Sequence, residues 1–253
     1  MIMFGQIIKD FRSAIGSKPA RIYFIGIAVL VLVANIAVIC FRFIYGSNEG
    51  TFAYNVFEYA SWCFLIPYYS CILIGIIAVG KEYPVPGKAG QKPVVIYISK
   101  LIVSILLAVV FLITAFVLLY AVTALFHINE GMIQWPIVKS FLNKAALSLP
   151  LWFAGISFAI MFLFVFEKRW KACAGFAFVT VIIPQLIRIF SLDTFKSDFF
   201  RTIRRYTITQ SFGLVPYPSY PDRSVPLIIT LGIVYGLIAV LIGMIIYGKK
   251  YKE

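Results

Sequence analysis

Six stretches of this chain hold no charged side chain and are apolar nearly throughout: residues 22–41, 59–79, 101–126, 145–166, 172–187 and 227–247. Hydrocarbon offers no hydrogen-bond partner, so a backbone crossing it must satisfy its own N–H and C=O groups. An apolar run of about 20 residues does this as a helix. Composition agrees, at 62% hydrophobic and 13% charged, where a soluble domain has roughly a half and a quarter. The expectation is an all-α membrane protein with six transmembrane helices, one transmembrane domain over residues 1–253. The spans fall at about 22–45, 59–80, 97–126, 145–166, 170–187 and 226–248.

Charge sets the orientation. The segment between the second and third spans carries Lys81, Lys88, Lys92 and Lys100 against one acid, Glu82. Short lysine-rich loops stay in the cytoplasm. The turn Glu167, Lys168, Arg169, Lys171 and the tail Lys249, Lys250, Lys252 are inside for the same reason. Ser47–Glu58 has Glu49 and Glu58 and no cation, as an outside loop should. Both termini are then cytoplasmic. Of 23 Lys and Arg, fourteen lie in inside segments and nine outside, six of the nine within 188–223. That last segment breaks the rule locally. The net charge of +13 reads as membrane lipid headgroups and topology, with no nucleic acid implied.

The N-terminal segment is not a span. Phe4, Ile7, Ile8, Phe11 and Ile15 recur at helical spacing, with Gln6, Lys9, Asp10, Arg12 and Ser13 between them. This predicts an amphipathic helix over 1–18 in the interface plane. Met1 to Ala20 hold no short apolar core ending in a small-residue cleavage site, so no cleavable signal peptide is expected.

The fifth run, 172–187, is sixteen residues and reaches about 24 Å, short of a core of about 30 Å. Pro184 and Gln185 stand near its end, and a break in the helix is expected there. Phe195, Phe199, Ile203 and Tyr206 then follow a helical stripe beside Arg201, Arg204 and Arg205. One or two short re-entrant or interfacial helices fit between spans five and six. The arginines sit at i, i+3 and i+4, one face of a helix, which makes them candidates for an outer gate. Asn35 in the first span, Tyr68 and Tyr69 beside the kink expected at Pro67, and Pro184 and Gln185 in the fifth run are the other candidate pathway residues. Gly232 and Gly236 form a GxxxG pair in the sixth span, which packs inside one subunit or between two.

Several chemistries lack their residues. None of the ten carboxylates falls in an uncharged run, which argues against a proton-coupled path. His127 is the only histidine and has no ligand partner at metal spacing; the four cysteines lack it too. No HExxH and no GxxxxGK[ST] occurs. The chain is expected to be no enzyme, to hold no metal, and to burn no ATP itself.

The architecture resembles the membrane (permease) subunit of a type-2 ABC exporter. Members of that family carry a Glu-aromatic pair after span two, then glycine, then a proline-led stretch ending in lysine at span three. Here Glu82-Tyr83, Gly87 or Gly90, Pro93 and Lys100 hold those places. The resemblance implies ATPase-coupling roles for Glu82, Tyr83, Gly87, Lys88, Pro93, Lys100, Lys168 and Arg169. It implies two copies of a separate ABC ATPase that binds ATP and Mg, and a second copy of this chain or a homologous permease. It also implies the plasma membrane of a bacterium. The family's apolar coupling helix is replaced here by a shorter loop with Pro84, Pro86, Gly87 and Gly90, which oppose a helix. Docking then uses a shortened element, or leans on the N-terminal helix and the 167–171 turn. The length resembles permeases for bacitracin and lantibiotic immunity and for phenol-soluble modulins, so amphipathic, antimicrobial or toxin peptides are the expected cargo. Lipid or polysaccharide precursors, or a non-transporting sensor or assembly role, remain alternatives.

Overall fold

The computed structural model describes residues 2–45, 62–80, 92–126, 135–166, 168–192, 197–215 and 224–250. No strand occurs among them. In chain order the helices are α1 (Ile2–Ile15), α2 (Lys18–Tyr45), α3 (Trp62–Val79), α4 (Pro93–Phe126), α5 (Trp135–Val165), α6 (Arg169–Phe190), α7 (Asp198–Arg205), α8 (Ile208–Leu214) and α9 (Ser224–Lys250). Five described helices, α2, α4, α5, α6 and α9, are long and apolar enough to cross a membrane. The apolar part of α3, Phe64–Val79, is shorter.

The most enclosed of these five is α5. Helices α3, α4, α6 and α9 surround it. Its inward side chains Leu151, Ala154, Ile156, Ala159, Ile160 and Leu163 are almost wholly removed from the surface. The small residues of α9 face inward. Gly232 meets the backbone of Pro150, Gly236 the ring of Phe153, and Gly243 the phenol of Tyr97. The branched side chains Ile233, Leu237, Leu241 and Ile245 point outward, each 44–55% exposed. Lipid is as apolar as leucine, so greasy side chains gain nothing by turning inward. Close backbone approach at small residues holds such helices together instead.

That placement corrects one expectation. Gly232 and Gly236 are both buried in the contact between two helices of the same chain. The intramolecular reading of the GxxxG pair holds, and the subunit-packing role does not, because α5 already fills that surface.

The expected break at Pro184 is also corrected. The helix runs on to Phe190. Pro184 lacks a donor, and its ring crowds the carbonyl one turn back. A π-segment, Phe178–Ile182, lies just ahead of it, and the Ile183 N–H bonds to the Phe178 carbonyl five residues earlier. The widened turn absorbs the proline, as π-bulges do. The resulting 22-residue helix spans roughly 30 Å, enough to cross.

A third correction lies in α5. The sequence put this span at 145–166, but the helix begins at Trp135, with Pro136 in its first turn, where a missing N–H costs nothing. Lys144 lies within it, 2% exposed.

The glycine contacts give a graded prediction. A Cβ at Gly232 meets the Pro150 backbone, which cannot yield without moving a helix. A Cβ at Gly75 meets the end of the Leu163 side chain at 2.9 Å, which can swing away. Gly232→Ala is expected to cost about 1–3 kcal/mol of overpacking strain, and Gly75→Ala less than about 1. Denaturant titration in detergent micelles checks this; equal stability of the two variants would contradict the packing described.

Candidate functional site

Two clusters of polar contacts mark opposite ends of the bundle. The first joins α1, the end of α3 and the starts of α4 and α6. The apolar side of α1 is only partly inward. Ile7 and Ala14 are buried in the main core, Phe11 and Ile15 pack on it, and Phe4 stays 70% exposed. Asp10 on the polar side of α1 pairs with Lys100 at 2.7 Å. The two side chains are 16% and 21% exposed, so this ion pair is partly shielded from water and ties α1 to the base of α4.

Nearby, α3 ends at Gly80, whose φ of +80° is the left-handed conformation that glycine adopts without strain. Its N–H returns to the Ile76 carbonyl at 3.1 Å. Its own carbonyl accepts from the Arg169 guanidinium. A cation there meets the negative end of the α3 dipole, and it fastens the start of α6 to the end of α3. Lys168 precedes α6 and is exposed; its carbonyl accepts from the Lys171 and Ala172 N–H groups at 3.0 and 3.2 Å. Pro93 opens α4, its fixed φ suiting a first helical residue. Glu82, Tyr83, Gly87 and Lys88 lie outside the described residues. Of the expected coupling residues, the structure therefore brings Lys100 and Arg169 into one assembly and gives each a partner.

The second cluster is the corner after α6. Arg204 donates from Nη1 to Ser191 Oγ at 3.3 Å and from Nε to Gln210 Oε1 at 3.1 Å. It braces the end of α6 against α8. Thr207 caps α8, its Oγ1 accepting from the Gln210 N–H at 3.3 Å. Tyr235 of α9 donates to the Tyr206 carbonyl at 3.0 Å. Arg201 pairs with Asp198 at 3.2 Å on the exposed side of α7, and Arg205 is exposed. Phe190 stacks on Phe200 at 5.2 Å, while Phe199 projects outward, 67% exposed. The three arginines thus do different things: one is a brace and two are at the surface. Phe195 lies outside the described residues.

The remaining expected pathway residues separate. Tyr68 is 2% exposed, its ring 5.3 Å from Phe212 and 5.5 Å from Tyr69. It packs in a core with Phe64 and Phe212. Tyr69 is half-buried beside it. Asn35 is buried, and its Nδ2 donates to the Val31 carbonyl one turn back at 2.9 Å. Pro184 is half-buried, and Gln185 is exposed on α6. Among the described residues no group of three His, Cys, Asp or Glu side chains is placed to hold a metal ion.

Sequence reasoning missed two interhelical bonds that carry this arrangement. Trp152 Nε1 of α5 donates to the Phe64 carbonyl at 2.9 Å. That carbonyl lies three residues before Pro67, near the point where the proline's missing N–H disturbs the ladder of α3. Tyr23 of α2 donates to Ser70 Oγ at 2.6 Å, and Ser70 donates in turn to the Pro67 carbonyl at 2.8 Å. The proline in a span was the available signal, since backbone freed by a proline must find partners elsewhere. No protein-family model, no curated protein and no solved structure matches the chain.

The Asp10–Lys100 pair gives the prediction. Asp10→Asn and Lys100→Met, singly and together, are expected to show a coupling of about 0.5–3 kcal/mol in a double-mutant cycle of unfolding. Limited proteolysis should cut α1 faster in each single variant. Additive effects with unchanged cleavage would mean that the pair does not hold α1.

Proposed function

We propose that this chain is the membrane-spanning subunit of an ATP-driven exporter of amphipathic peptides, working with a separate ATPase. In this reading all six apolar helices cross the plasma membrane, α3 included. Both termini face the cytoplasm, and α7 and α8 form a re-entrant corner on the far side. Two copies, or one copy with a homologous permease, enclose the path. Two ATPase subunits bind ATP and Mg beneath them.

The observation that carries the reading is the fastened basic end. Asp10–Lys100 ties α1 to α4 and Arg169–Gly80 ties α6 to α3, α3 packs on α4 and α1, and the 81–91 segment connects α3 to α4 in sequence. A push on that segment would act on the bases of both α3 and α4, and through them on α1 and α6. This is what coupling to an ATPase below the membrane demands: a local contact that moves whole helices as rigid bodies. The absence of a carboxylate from the six uncharged runs argues for the same power source over ion coupling. The apolar, aromatic-rich surroundings suit amphipathic cargo better than sugars.

The test replaces the pair that the resemblance assigns to docking. Glu82→Ala with Tyr83→Ala is expected to abolish export of an amphipathic reporter peptide from cells, or to reduce it at least about tenfold, which corresponds to roughly 1.4 kcal/mol or more of lost coupling. Membrane insertion should stay at wild-type levels. Wild-type export at equal expression would place docking elsewhere, and no export by the wild-type chain with its ATPase present would overturn the reading itself.

A further inference from the structure

A cavity of about 760 Å³ runs between α2, α3 and α4. Its wall on α2 extends from Lys18 to Ala34, about 24 Å of helix. Leu30, Leu73 and Ala115 are among its apolar linings, and Lys18 stands at one end. The helix α2 leans on α4 through Phe24 and Tyr23, whose rings lie 4.6 and 4.8 Å from Phe111. It touches α3 through the Tyr23–Ser70 hydrogen bond, and elsewhere a furrow is left between them.

Chemistry decides what fits. The lining is apolar apart from Lys18, Tyr23 and Ser70, and a furrow along about 24 Å of helix takes an extended hydrocarbon chain. The polar atoms in the wall are already satisfied: Tyr23 donates to Ser70, and Ser70 donates to Pro67. They leave no donor free for a buried polar ligand, so the part of an occupant inside the furrow must be hydrocarbon. At the mouth the sign of charge changes the demand. Lys18 lines the cavity and is exposed, with no ion pair among the described residues, and Arg21 lies one turn on. Their chemistry calls for an anionic headgroup.

We propose that this furrow is a binding site for one anionic phospholipid, with an acyl chain between α2 and α3 and the phosphate at Lys18. The proposal needs only that the chain lies in a membrane; it does not depend on the export reading. Gly26 supplies the means of testing it. It lines the cavity, and a Cβ built on it meets nothing within 4 Å, so a side chain there fills the furrow without disturbing the helix.

The full-length protein, purified in mild detergent, is offered an equimolar mixture of phosphatidylglycerol and phosphatidylcholine, and native mass spectrometry counts the lipid retained. The wild-type chain should keep one phosphatidylglycerol in preference to phosphatidylcholine. Gly26→Trp should lower retention about fivefold or more, since lost apolar contact and lost mass-action stabilisation go together. Lys18→Glu should keep an acyl chain but lose the preference for phosphatidylglycerol, by about fivefold or more. A phosphatidylglycerol bearing a diazirine in its acyl chain, offered to the wild-type protein, guards against variants that do not fold. Cross-links at Leu30, Leu73 or Ala115 support the site. Cross-links confined to the outer face of α9, undiminished retention by a folded Gly26→Trp, or an unchanged headgroup preference in Lys18→Glu would each overturn it. So would a disulfide between two copies carrying Gly26→Cys, which would put a second chain in the furrow.

Discussion

The contact between α9 and Pro150 of α5 is the constraint on which the other helices depend. In hydrocarbon, apolar surface gives no reason for helices to meet, so dispersion at close range and a few hydrogen bonds must supply it. Three glycines along α9 let that helix lie on Pro150, Phe153 and Tyr97. With α9 seated there, α5 is covered on one side and can take α3 on another, where Gly155 meets Tyr68 and Cys71. The outer faces of α2, α6 and α9 are left to lipid, rich in branched aliphatic side chains. Along α9 the small residues face inward and the branched aliphatic ones outward.

The polar bonds sit where this packing leaves backbone exposed or helices free. Arg169 closes the end of α3 at Gly80, Trp152 reaches α3 at Phe64, and Arg204 holds the corner after α6. Each spends a side-chain donor on a segment end or a proline-disturbed turn, which is where a membrane helix has unmet groups. These bonds fasten the described helix ends to their neighbours. The α2 side is looser, since that helix relies on a few ring contacts with Phe111 and one hydroxyl pair.

Much of the fold could be read from residues, and the gaps have physical causes. Uncharged runs mark the apolar helices because charge is costly in hydrocarbon wherever it falls. They mark ends poorly: Lys139 and Lys144 hid the first turns of α5, because a lysine on a helix, exposed like Lys139 or buried like Lys144, looks in sequence like a loop cation. At Pro184 the sequence led to a break that the structure does not have. The local rule gives a break, and only the neighbouring turns decide whether a π-segment repairs it instead. The GxxxG pair announced a close approach but could not say to what. Asp10 and Lys100 are 90 residues apart, and no spacing rule joins such a pair. For the candidate site, the basic end was legible through its lysines, while the brace made by Arg204 and the furrow beside α2 are properties of three-dimensional packing.

The central claim is that this 28.5 kDa chain works as the membrane half of an ATP-driven pump. Isolation of the tagged chain from its native membranes in mild detergent, followed by native mass measurement and an ATPase assay on the same preparation, tests it most directly. The account predicts an assembly of two membrane chains with two P-loop ATPase subunits, whose hydrolysis rises when an amphipathic peptide is added. A lone chain, or one bound only to proteins without a P-loop, that still sustains export in reconstituted vesicles would contradict it.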